Sequence, residues 1–184
     1  MARPTQPPSR EIERIPENLY RDPVDFLLAD HYRQRMLCDI LDLLLRRSAD
    51  DRAECAAAAL DYLEHELPHH VRDEEIGLFP RLKRRCPVGE DIRTVISLLS
   101  EEHQKDEHLI SSLIAELRTI SEKGDPADPE RFARLVANFV DSLRRHLTWE
   151  DATVLRLARA WLTPEDLVEI GCEMAKRRGA SYPD

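Results

Sequence analysis

The amino-acid sequence predicts an all-α protein, a bundle of four helices followed by a short fifth. Three observations carry this. Apolar residues recur every three or four positions through four long segments, the spacing of a single helical face. Capping residues, proline and glycine punctuate the chain between those segments. One histidine interrupts each stripe at mid-length: His31, His70, His103 and His146.

Residues 1–21 are Pro-rich and polar and read as an N-terminal arm. Asp22 and Pro23 then supply an N-cap and a proline at the first helical position. The first helix is expected to run to about Arg47, with the stripe Leu27, His31, Gln34, Cys38, Leu41, Leu45. The second starts near Asp50 and carries Ala56, Leu60, Leu63, Leu67, His70, Glu74, Leu78 on one face. Pro68 lies inside it, which predicts a lost backbone hydrogen bond and a kink just before His70. Pro80 and the stretch Cys86-Pro87-Val88-Gly89 end it. The third helix spans about Glu90 to Glu122 with Ile92, Ile96, Leu99, His103, Ile110, Leu113, Leu117, and Gly124-Asp125-Pro126 is the turn after it. Asp128 and Pro129 open the fourth, which reaches about Trp161 through Phe132, Val136, Phe139, Leu143, His146, Glu150, Val154, Leu157. Thr163, Pro164 and Asp166 begin the short fifth helix with a weak capping box. The expected units are therefore the arm (1–21), the bundle (22–162), and the C-terminal helix and tail (163–184).

Length and charge bound the function. A chain of 184 residues, a third of them charged and with five glycines, suits one mostly helical domain with a sizeable core. Its net charge of −9 argues against a nucleic-acid partner, whose phosphates call for clustered Lys and Arg. Apolar runs such as Leu43–Leu45 are far too short to span a bilayer, which takes about 20 residues. MARPTQPPSR has no apolar signal core, so a cytoplasmic protein is expected. The four cysteines show no C-x-x-C spacing and are expected to be reduced thiols. Cys38 shares the stripe of His31, where a small buried hydrophobe is the simpler role.

The interruptions of the stripes carry the chemistry. A helix turns about 100° per residue, so His70 and Glu74, like His146 and Glu150, lie within roughly 40° of each other. Imidazoles and carboxylates at core positions are costly unless something compensates them. A cation held by all four helices compensates them together. Structural zinc favours four tetrahedral Cys or His ligands, whereas six mixed His and carboxylate ligands suit two octahedral ions. Iron is the first choice and manganese the second. Glu75, Glu102 and Asp151 neighbour these residues and are expected to orient them or to remain solvated. His65, His69 and His108 lie off the stripes. There is also an internal repeat: HHVRDEE aligns with RHLTWED, pairing His70 with His146 and Glu74 with Glu150, while ADHYRQR aligns with EEHQKDE, pairing His31 with His103.

The order His, H-x-x-x-E-E with LFP just downstream, E-H, then H-x-x-x-E resembles the haemerythrin-like HHE cation-binding domain over roughly residues 22–160. The resemblance implies an up-down-up-down topology. It also implies a non-haem di-iron centre, with His31, His70, His103 and His146 as terminal ligands and Glu74 and Glu150 as bridges. Oxygen-carrying haemerythrins place a second histidine four residues after the third-helix histidine, where this chain has Glu107. Glu107 is thus a seventh candidate ligand, and an additional carboxylate favours harder, more oxidised iron over reversible oxygen carriage. Asp151 fits the carrier spacing H-x-x-x-x-D, but Glu150 lies nearer the face of His146. The expected partner is a small diatomic or peroxide, bound or sensed. The alternatives are an enzyme that decomposes peroxide or oxidises ferrous iron, and an iron store or donor. Nothing in the sequence points to a protein partner.

Overall fold

The computed structural model describes residues 11–183, and among these the regular structure is helical throughout. After a 3-10 turn, Glu17–Arg21, α1 spans Pro23–Leu43. The second rod is continuous but composite: α2 (Ala49–Asp61), a π turn (Tyr62–Glu66), α3 (Leu67–Arg72), a second π turn (Asp73–Leu78) and α4 (Phe79–Arg85). The third rod is a single helix, α5 (Ile92–Lys123). The fourth joins α6 (Pro129–Trp149), a third π turn (Glu150–Leu155) and α7 (Arg156–Trp161), and α8 (Pro164–Arg177) follows.

The caps explain the boundaries. Asp22 accepts the Asp25 N–H at 3.0 Å, Asp91 the Arg93 and Thr94 N–H groups, and Asp128 the Arg131 N–H at 2.9 Å. Thr163 and Asp166 form a complete capping box at α8. Gly124, at φ +81°, ends α5 in the left-handed conformation that a side chain disfavours.

Pro68 does not break the second rod. Proline lacks an N–H and its ring clashes with the carbonyl four residues back. The π turn before it re-registers the hydrogen bonds, the Leu67 N–H donating to Tyr62 O, five residues away. The expected kink thus takes the form of a widened turn. Pro80 follows the second π turn at the same two-residue offset.

The apolar residues form two separate clusters. One gathers Leu37, Leu41, Leu63, Leu117, Phe132 and Phe139 among others, and the second gathers Leu27, Phe79, Ile96, Val154, Ile170 and Met174. Each of the four rods passes from one cluster to the other. The histidines lie at the crossing in every case, so a polar layer separates two greasy halves.

Residues 11–21 are not a free arm, although the rest of the Pro-rich segment lies outside the described residues. Ile15 and Leu19 pack on the second cluster, and buried Tyr20 stacks on Phe26 at 5.0 Å. Helix α8 closes the same end. It is clamped to the second rod by charge: Arg177 and Arg178 hold buried Asp73 at 2.6 and 2.7 Å, and Arg81 reaches Glu169 and Glu173. Its Gly171 is required by close approach, since a Cβ there would sit 2.0 Å from the Tyr20 carbonyl oxygen. No helix among the described residues is long and apolar enough to cross a membrane.

Candidate metal centre

Six of the seven residues singled out from the sequence meet in the polar layer. Two groups of ligand atoms form there, His31, His70, Glu74 and Glu150 in one, and Glu74, His103, His146 and Glu150 in the other. Within each group the atoms all lie within 4.8 Å of one another. Both glutamates belong to both groups. His31 Nε2 is 3.3 Å from Glu150 and 3.7 Å from Glu74; His70 Nε2 is 3.5 Å from Glu74. On the opposite side His103 Nε2 is 3.5 Å from Glu74, His146 Nε2 is 3.2 Å from Glu150, and the two imidazole nitrogens approach to 3.1 Å.

These separations suit a pair of cations. Two ligand atoms each about 2.1 Å from one ion and at right angles lie about 3 Å apart. The buried Nε2 atoms of His31 and His70 and all four carboxylate oxygens of Glu74 and Glu150 have no hydrogen-bond partner. Buried charged oxygens left in that condition cost several kcal/mol. A donor set of imidazole and carboxylate from four rods therefore fits the ions that the spacing suggests.

A carboxylate fixes each ring from behind. The Nδ1 atoms of His31, His103 and His146 contact Asp151, Glu75 and Glu102 at 2.7, 2.8 and 3.0 Å, and His70 Nδ1 lies 3.1 Å from Asp30 Oδ2. With Nδ1–H donated outward, each Nε2 keeps its lone pair for the centre. The arrangement obeys the repeat. The acid preceding the histidine of the first or third rod serves the histidine of the next rod, and the acid following each shared glutamate likewise serves the next rod, Glu75 reaching the third and Asp151 closing the circle on the first. Sequence reasoning anticipated Glu75, Glu102 and Asp151 but missed Asp30. The signal was present, because Asp30 precedes His31 as Glu102 precedes His103.

Both shared glutamates stand in π turns, Glu74 in Asp73–Leu78 and Glu150 in Glu150–Leu155. A π turn advances by fewer degrees per residue than an α turn, so Glu74 with Glu75, and Glu150 with Asp151, can both address the layer. Asp151 and Glu150 are thus not rival ligands here: one reaches the cluster and the other orients His31.

The metal-free cluster demands positive charge. Burial lowers the His31 pKa, but the Asp151 hydrogen bond with Glu74 and Glu150 outweighs it and the value rises to about 10. Burial opposes His146 in the same way, yet Glu150, Glu74 and Glu102 lift it to about 9. Burial would raise Glu150, while His146, His31 and His70 hold it well below the usual carboxylate range. Protons occupy the place a metal would take.

Glu107 is the exception among the expected ligands. It is exposed, belongs to neither group, and lines a surface groove of about 920 Å³ between the second rod and α5. The inward line of α5 steps Leu99, His103, Asp106, Ile110, Leu113, so the turn after His103 is three residues long and Asp106 takes the inner position. The four-residue offset turns Glu107 to the groove. His65 and His108 are exposed, and His69 is half-buried outside both groups. Burial pushes the Cys38 thiol up to about 12, consistent with a small hydrophobe and not a thiolate ligand.

Comparison with known proteins agrees with the geometry. The profile of the Hemerythrin HHE cation binding domain matches residues 22–158. An uncharacterised protein of Haemophilus influenzae is 26% identical over 165 residues, covering 86% of this chain and 91% of the relative.

Proposed function

The chain belongs to the haemerythrin HHE cation-binding family, and from that membership we propose that it is a non-haem di-iron protein that binds or senses O2, NO or peroxide. The observation that carries the reading is the sharing of Glu74 and Glu150 by two histidine pairs, with every carboxylate oxygen otherwise unpartnered. In this reading His31, His70, His103 and His146 are the terminal ligands and the two glutamates bridge. The fold is then the family's up-down-up-down bundle over residues 22–162, with α8 added.

When bound, ferrous ions supply electrons and open coordination positions to a small ligand. The protein supplies the rest. Asp151, Asp30, Glu75 and Glu102 hold the imidazoles in one tautomer and aim them. The apolar clusters above and below flank the layer and lower the dielectric around it, which strengthens each electrostatic interaction inside it. Glu107 stands away from the centre, so it is not proposed as a ligand. The four free cysteines fit the reducing cytoplasm in which ferrous iron persists.

Ferrous loading under anaerobic conditions, followed by metal analysis and optical titration, tests the reading. About two irons per chain are expected, with manganese bound more weakly. An unchanged iron content in a His70→Ala/His146→Ala double variant would sink it. Slow, reversible spectral change in air supports binding or sensing; rapid oxidation with turnover of added peroxide favours the enzyme alternative, and release of iron to a chelator the storage one.

A further inference from the structure

Beside the histidines lies a small cavity that the ligand set does not use. It measures about 40 Å³ and is bounded by all four rods. Since one water needs roughly 10–15 Å³ of such space, it has room for two or three non-hydrogen atoms. His70, His103 and His146 form one side and Phe139 and Leu143 part of another. Two polar side chains complete it: Gln34 from α1 and Asp106 from α5.

Gln34 is 1% exposed, and its Nε2 has no hydrogen-bond partner. A buried amide donor left unsatisfied costs about 1–3 kcal/mol, and leucine of similar size would avoid that cost. Asp106 accepts from Ser142 Oγ at 3.1 Å and retains acceptor capacity. The cavity thus offers one free N–H donor and one carboxylate acceptor next to the imidazoles.

Resting on the di-iron reading, we propose that Gln34 and Asp106 select a small protic ligand of the hydrogen peroxide class, Gln34 donating a hydrogen bond to one of its oxygens and Asp106 accepting one from its O–H. O2 and NO can use the amide but have no proton for the carboxylate. The pair therefore discriminates by hydrogen-bond polarity. No bond is made or broken in this step; the two side chains hold and orient the ligand.

The probe is azide, an acceptor without a proton, titrated optically into the iron-loaded protein with iron content measured alongside. Gln34→Leu should weaken azide binding about tenfold or more while iron content stays at the parental value. Asp106→Asn should tighten azide, because an anionic wall is neutralised, and at the same time slow the reaction with hydrogen peroxide. A side chain needed only for packing would move both readouts in the same direction. The metal-free protein gives an independent measurement: Gln34→Leu, or Gln34→Met where leucine packs poorly, should raise the melting temperature by removing an unsatisfied donor. Unchanged azide affinity in an iron-replete Gln34→Leu protein, or a lowered melting temperature in both metal-free variants, overturns the proposal. A parent that takes up no iron overturns the di-iron reading instead, a separate result.

Discussion

The two halves of the centre come from one duplicated pattern yet differ in how they meet solvent. The side chains of His31 and His70 are 0% and 2% exposed, whereas those of His103 and His146 are 12% and 7% exposed. Their supporting acids differ too. Asp30 is buried, contacts Arg33 at 2.8 Å and accepts from Tyr62 at 3.1 Å, and Asp151 pairs with Arg35. On the other side Glu75 has Ser100 at 2.9 Å, while Glu102 has Arg145 only at 4.0 Å. In the first half the two imidazoles and Asp30 are sealed, Asp151 is 27% exposed, and both acids are matched by an arginine. The second abuts the groove that His103 and Glu75 line, and its acids are about a third exposed. Identical ligands can thus be divided by their surroundings into a structural half and an accessible half.

Removing a shared carboxylate should erase the distinction. Glu74→Ala is expected to abolish binding in both halves, taking metal from about two ions per chain to near none. The loaded protein should lose about 4 kcal/mol where free metal stands at 1,000 times Kd. Retention of one ion would mean that the halves are independent after all.

A comparison of His70→Ala with His146→Ala sharpens the contrast. The first takes from buried Asp30 the contact at Oδ2, with Arg33 and Tyr62 still on Oδ1, and should cost the metal-free protein about 3 kcal/mol. The second leaves Glu102, which can turn to water, and should cost about 1 kcal/mol. Chemical denaturation of both metal-free variants measures this. Equal losses would show that burial does not separate the halves.

The pH dependence of the metal-free protein should carry the same signature. His31 and His146 have folded pKa values raised to about 10 and about 9, above the ordinary 6.5. Their protonation stabilises the fold fully below pH 6.5, and that contribution is lost as pH rises through the folded values. Melting temperature should therefore fall between pH 6.5 and 10, the accessible half giving way about one unit before the sealed half. Metal affinity should rise over the same range, because loading expels those protons. A melting temperature flat across that interval would contradict the assignment. The smallest effect belongs to Glu107→Ala: iron content unchanged and stability within about 0.5 kcal/mol, as for other exposed sites. Loss of one ion in that variant would return Glu107 to the ligand set.

Much of this was legible in the sequence. The helices announced themselves through stripes and caps, and Asp22, Asp128 and Thr163 cap where capping chemistry permits, while the Asp91 cap of α5 was not singled out. The six clustered residues were legible because polar side chains in an apolar stripe need a common explanation. What stayed hidden was phase. A residue-by-residue count assumes 3.6 per turn, and three π turns violate it without changing the hydrophobic pattern. Glu107 was misplaced for a related reason, since the inward path after His103 advances by three residues and not four. The packing of Ile15, Leu19 and Tyr20 was also invisible, because sparse apolar residues among prolines show no period.

Each π turn amounts to one residue more than an α-helix needs over the same stretch. The two apolar clusters can then keep separate registers, with the slip between them absorbed at the polar layer by Asp73–Leu78 and Glu150–Leu155. The molecule should accordingly react differently to two kinds of genetic change. Substitutions within these turns alter one side chain. Deletion of a single residue there would restore an α turn and leave the helix beyond it in register, whereas the same deletion within α5 would rotate everything beyond it by about 100°. Phe79 and Leu82 would then stay in the core, but the narrowed turn could no longer present Glu74 to the cluster and Glu75 to His103 together. The polar layer is thus also the joint at which an extra residue is taken up without disturbing either core.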